Sequence, residues 1–171
     1  MILPQFYTDD IIKRAILEDI NYVDVASDYL ISEEQRDEAY FVSKADGVLC
    51  GIDVAMRVFE LLDDSFTAKV YMHDGDKVKK GDLIAEFSGK TTLLLKGERT
   101  ALNLLQHMSG IATATAKAVK LCEGTKASIA DTRKTLPSLR ALQKYAEAKT
   151  TVLIFPTALC SRIITLTPEA A

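Results

Sequence analysis

The order of patterns along the chain predicts an α/β protein. β-like runs dominate up to residue 95, helical spacing takes over from Gly97, and a short β-like run at 127–130 leads into a polar loop and a further helical pattern. The first part therefore reads as mixed α+β. The later succession of helix, strand, cationic loop and helix is how an α/β barrel would begin. A length of 171 residues suits one ordinary domain or one and a half small ones, and 48% hydrophobic content is typical of a packed globular protein and does not indicate disorder.

Each element has a local reason. Thr8 can cap a helix running through Glu18, because Ile11, Ile12, Ala15 and Ile16 recur at helical spacing. Residues 42–48 read as strand, turn and strand around Asp46-Gly47. Residues 53–62 form an amphipathic helix with Val54, Val58, Leu61 and Leu62 inward. Strands are expected at 68–72, 83–87 and 91–95. From Gly97, the positions of Ala101, Leu102, Leu104, Leu105 and Met108 give a helix broken at Ser109-Gly110, continued over 112–122 and closed by Gly124. Residues 127–130 make a short strand, and Pro137 suits the first position of a helix over 138–146. The domain seam is expected within 97–110.

A net charge of −3 and a pI near 5.4 supply no global attraction for nucleic acid, so anion binding must come from a local cluster of cations. Cys50, Cys122 and Cys160 form no CxxC spacing and read as reduced thiols. Asp9 and Asp10 stand where a signal peptide would be basic, and no apolar run approaches the roughly 18 residues of a membrane span. The expectation is a soluble cytoplasmic protein with neither nucleic acid nor membrane as partner.

Asp131-Thr132-Arg133-Lys134-Thr135-Leu136-Pro137 follows the short strand and sets a guanidinium beside an ammonium. Ligands of α/β folds bind outside the carboxyl ends of strands, so adjacent cations there point to an anionic substrate. A solvated loop would account for Arg133-Lys134 taken alone. Glu98 and Arg99 could likewise be a charge pair at a helix start, and Arg140 and Lys144 read as a solvated helix face. Gly89-Lys90-Thr91 ends like a Walker A loop, but that motif's first glycine would fall at Ile84, so the segment reads as a turn. Residues 74–82 look like half of a lipoyl or biotinyl carrier domain without its lysine-tipped hairpin.

Three segments carry a stronger signal together: Gly97-Glu98-Arg99-Thr100-Ala101-Leu102-Asn103, Ser109-Gly110-Ile111-Ala112-Thr113, and residues 131–137 with Leu139-Arg140 and Lys144-Tyr145-Ala146. Leu17-Glu18-Asp19-Ile20, Gly47-Val48-Leu49-Cys50-Gly51 and Val78-Lys79-Lys80-Gly81-Asp82 stand before them in family order. From about residue 8 to Ala146 the chain resembles the quinolinate phosphoribosyltransferases, the carboxylating nicotinate-nucleotide pyrophosphorylases. The resemblance implies an N-terminal α+β open sandwich over 1–109 and the beginning of an incomplete α/β barrel over 110–171. It also implies transfer of phosphoribosyl from phosphoribosyl pyrophosphate to quinolinate with decarboxylation, giving nicotinate mononucleotide, pyrophosphate and CO2. Arg99, Arg133 and Lys134 match the family's quinolinate-binding positions, with Arg99 reaching into the partner subunit of a homodimer. Mg2+ is implied too, its family ligands being absent from this chain. The alternatives are a molybdenum-transport-associated paralogue with another ring substrate, or a non-catalytic oligomerisation or carrier module.

The resemblance stops at Ala146, and 147–171 reads as an aberrant tail. Read from one base upstream, permissible codons for Ala148 to Val152 give Gly-Lys-Asn-His-Arg, and those for Leu153 to Thr165 allow a later Lys-Asp-Asn-His. Both are family signatures, so the sequence predicts a frameshift near Glu147, a truncated and inactive product, and β-prone, aggregation-prone segments at Phe155, Ile163, Ile164 and Leu166. Codons incompatible with the second frame would refute it.

Overall fold

The computed structural model describes residues 3–20 and 29–150. The expectations for Cys160 and for the tail beyond residue 150 lie outside them. In chain order the elements are α1 (Gln5–Asp19), β1 (Arg36–Val42), β2 (Gly47–Val48), α2 (Ile52–Leu62), β3 (Thr67–Val70), β4 (Lys77–Val78), β5 (Leu83–Lys90), α3 (Thr91–Leu121) and α4 (Arg140–Ala148).

β5 is the centre of an antiparallel sheet ordered β1-β5-β3, with Phe41 opposite Ala85 and Ala68 opposite Phe87. Alternation along these strands decides which face is covered. Phe41, Ala85 and Phe87 are buried, whereas Tyr40 and Glu86 face outward, and Tyr71 donates its hydroxyl to Glu86 Oε2 at 2.6 Å. Phe59 of α2 seals the covered face, 5.0 Å from Phe87 and 5.3 Å from Phe66 between ring centroids, and Phe41 meets Phe87 edge-on at 4.9 Å. The result is a sheet covered on one side only, the open sandwich.

α2 is amphipathic as expected, with Val54 and Val58 buried, although Leu61 and Leu62 are only half-buried. Its N-terminus is capped from a distance. Asp74 Oδ1 accepts the N–H groups of Gly51 at 2.8 Å and Ile52 at 3.0 Å. Gly51 stands at φ 97°, and a Cβ there would lie 2.7 Å from Met108 Sδ, so both conformation and space require glycine. Gly97 lets α3 approach α2, since its Cβ would fall 2.8 Å from the Phe59 ring.

Several expected elements differ. Thr8 lies inside α1 rather than at its cap, Pro4 holding the cap position, and its hydroxyl donates to Pro4 O. Val42 and Val48 belong to different sheets, so 42–48 is no hairpin. Residues 91–95 open α3 instead of forming a strand, because a short apolar run reads equally as buried helix, and Leu94, Gly97 and Ala101 continue its inward face. Ser109-Gly110 does not interrupt α3. Ser109 Oγ instead accepts the Cys50 N–H at 2.9 Å, and Thr113 Oγ1 accepts the Val48 N–H at 2.9 Å, so this motif fastens the helix to the β2 segment. At 127–130 only Ala130 makes a bridge contact, and Gly124 stands at φ 80° in the turn after α3. Pro137 lies in a turn with Ser138 at φ 66°, which delays the last helix to Arg140.

Candidate functional site

Arg133 and Lys134 lie exposed on the loop between Ala130 and α4, next to each other as the sequence requires. One side of α4 fixes that loop. Lys144 Nζ forms an ion pair and hydrogen bond with Asp131 Oδ2, the two side chains being 9% and 1% exposed. Gln143 Oε1 accepts the Leu136 N–H at 3.0 Å, and Arg140 Nε donates to Thr135 Oγ1 at 3.0 Å. Within the loop, Thr132 Oγ1 accepts the Lys134 N–H at 3.1 Å. Positions 140, 143 and 144 share a helix face. Lys144 is thus no part of a solvated face: its ammonium is buried because a carboxylate thirteen residues earlier is buried with it. Arg140 is exposed as expected, but it too holds the loop.

Arg133 and Lys134 of the loop and Arg140 at the start of α4 are all exposed. Glu147, one turn beyond Gln143, has its carboxyl pushed above the ordinary range by burial and by Asp131, with Lys144 opposing. Its Oε2 is buried without a hydrogen-bond partner among the described residues. Tyr145 ties α4 to the first half of the molecule. Burial and its hydrogen bond to Asp74 raise the phenol pKa. Burial and the same carboxylate raise the pKa of the Cys50 thiol, which favours its protonated form.

Arg99 lies on another element. It is on α3, 65% exposed, with Nε donating to Asp19 at 3.0 and 3.1 Å. Two cavities flank the core. One of about 860 Å3 runs between β1, β5 and α3, and one of about 660 Å3 lies among α1, α2 and α4. Arg99, Arg133 and Lys134 line neither. The Walker-like Gly89-Lys90-Thr91 does join a strand to a helix, but carboxylates fill its donors: Asp63 Oδ2 accepts the Lys90 N–H at 2.8 Å, and Asp37 Oδ2 accepts the Thr91 hydroxyl at 2.6 Å. A phosphate would meet two anions there. No group of three or more His, Cys, Asp or Glu side chains among the described residues could hold a metal ion.

The model of the quinolinate phosphoribosyl transferase N-terminal domain matches residues 24–109, and that of the C-terminal domain matches 111–150. The chain belongs to the quinolinate phosphoribosyltransferase family. It is 42% identical over 136 residues to the probable nicotinate-nucleotide pyrophosphorylase (carboxylating) of Bacillus subtilis, covering 80% of this chain and 47% of that one. It is also 42% identical over 143 residues to the corresponding pyrophosphorylase of Mycobacterium leprae, covering 80% and 49%. Among solved structures, NadC from Streptococcus pyogenes superposes with a TM-score of 0.87 at 36% identity, covering 91% of this chain and 55% of that chain. The chain spans about half the length of the curated relatives it matches. No helix among the described residues is long and apolar enough to cross a membrane.

Proposed function

We propose that this chain provides the quinolinate-holding part of a carboxylating nicotinate-nucleotide pyrophosphorylase, which transfers phosphoribosyl from phosphoribosyl pyrophosphate to quinolinate and releases pyrophosphate and CO2. The observation that carries this reading is the cationic loop clasped to α4, in a chain whose relatives bear that name. Guanidinium forks bind carboxylates through paired, charge-assisted hydrogen bonds. In this reading Arg133 and Lys134 grip the diacid so that its ring nitrogen faces the anomeric carbon, and their charge stabilises pyrophosphate as it leaves. The ring nitrogen, cationic once ribosylated, then stabilises the carbanion left by CO2, and that carbon takes up a proton from water to complete the product. No protein nucleophile is required.

Arg99 completes the site of the partner subunit in this reading, making the working unit at least a homodimer. Its exposure on α3, outside the lining of the two cavities described above, supports that assignment. The free thiols of Cys50 and Cys122 are compatible with a cytoplasmic setting. Names of the relatives favour quinolinate over another ring acid. The carrier reading loses ground because the family models of the quinolinate phosphoribosyl transferase domains match 24–109 and 111–150.

Calorimetric titration of the chain with quinolinate and with nicotinate tests the reading. Quinolinate is expected to bind at least about tenfold more tightly, since its second carboxylate adds charge-assisted hydrogen bonds, and Arg133→Ala should erase that preference. Equal affinities would reject it.

A further inference from the structure

The amide of Gln143 sits between two partners with opposite demands. Its Oε1 accepts the Leu136 N–H at 3.0 Å, and its Nε2 lies 3.0 Å from His107 Nε2 on α3. A backbone N–H can only donate, so the carbonyl end must face Leu136 and the NH2 end must face His107. The imidazole nitrogen there must then accept, which places the ring hydrogen on Nδ1. Gln143 is 9% exposed, so water competes poorly for either bond. An amide turned by half a rotation would set donor against donor at Leu136.

We infer that His107 and Gln143 are positioning residues for anion binding: His107 fixes the Gln143 amide, and that amide fixes the far end of the loop bearing Arg133 and Lys134. The near end is held independently by Lys144 on Asp131. With both ends fastened, the two cations are presented in one arrangement, and the ordering cost of taking up an anion falls. His107 also lies eight residues after Arg99, about 12 Å along α3, so the helix that carries one cation orients the loop that carries the other two. The inference deepens the proposed function and rests on it for the identity of the anion.

Amide hydrogen exchange by NMR on the full chain tests it. The Leu136 amide is expected to be protected, and His107→Ala should speed its exchange about fivefold, the worth of one neutral hydrogen bond. Ala85 and Phe87 amides in β5 should not change, which separates loop release from global unfolding. His107→Gln supplies another acceptor and should restore protection, and nitrogen shifts of the native imidazole should show Nε2 without hydrogen. In parallel, the dissociation constant for quinolinate should rise about fivefold in His107→Ala and recover in His107→Gln. An unprotected Leu136, an unaltered rate in His107→Ala, or a hydrogen on Nε2 would overturn the inference. If Leu136 and the imidazole behave as expected while native chain ignores quinolinate, the substrate reading fails and the loop-fixing role stands.

Discussion

Around Phe59 the chain is held by rings: Phe41, Phe66 and Phe87 enclose it, and Gly97 brings α3 close enough to touch. Around Asp131 it is held by Lys144, Gln143 and Arg140, whose bonds define a loop with little apolar cover. The first region tolerates error in direction because burial is non-directional, and its strength accumulates over area. The second depends on few contacts, each needing its partner. Scaffold and cationic loop are thus stabilised by different physics within one chain.

The largest test of that contrast is Phe59→Ala, expected to cost about 4 kcal/mol in urea unfolding, as for other buried aromatics emptied to alanine. Close behind, Lys144→Met should cost about 3 kcal/mol because it removes the buried ammonium that faces the Asp131 carboxylate. Adding Asp131→Leu should recover most of that loss, whereas no second substitution next to Phe59 is expected to do so. A mild Lys144→Met would show that the loop does not depend on its ion pair.

Glu147 gives a smaller, pH-dependent effect. Its folded pKa is raised above the ordinary 4.5, so the folded chain holds this proton more tightly than the unfolded one, and stability falls as pH rises from 4.5 through the folded value. Glu147→Gln should therefore raise Tm at pH 7 and leave it unchanged at pH 4, and equal shifts at both would remove Glu147 as the cause. Smallest for stability is Arg99→Ala, which should leave the urea midpoint in place, since its pair with Asp19 is exposed, while weakening quinolinate binding in the assembled protein about tenfold.

The sequence made the apolar scaffold readable where period and composition agreed, as in α2, whose expected span of 53–62 differs by one residue from the observed helix. It misled at 91–95, where paired threonines and a leucine run fit strand and helix alike, and the deciding contacts come from Asp37 and Asp63 far back in the chain. The position of Arg133 and Lys134 on a loop was legible, because it depends on local order. The clasp was not. Lys144 looks like a surface residue until Asp131 is folded against it, and Gln143 and His107 are 36 positions apart. One hint was available: Leu142, Tyr145 and Ala146 leave little of so short a helix for water.

The 31 residues of α3 run unbroken for roughly 46 Å, through the junction between the segments matched by the two family models. That junction is a shaft rather than a pivot. A continuous helix leaves the two segments no linker to turn about until past Leu121, where Gly124 adopts a left-handed backbone.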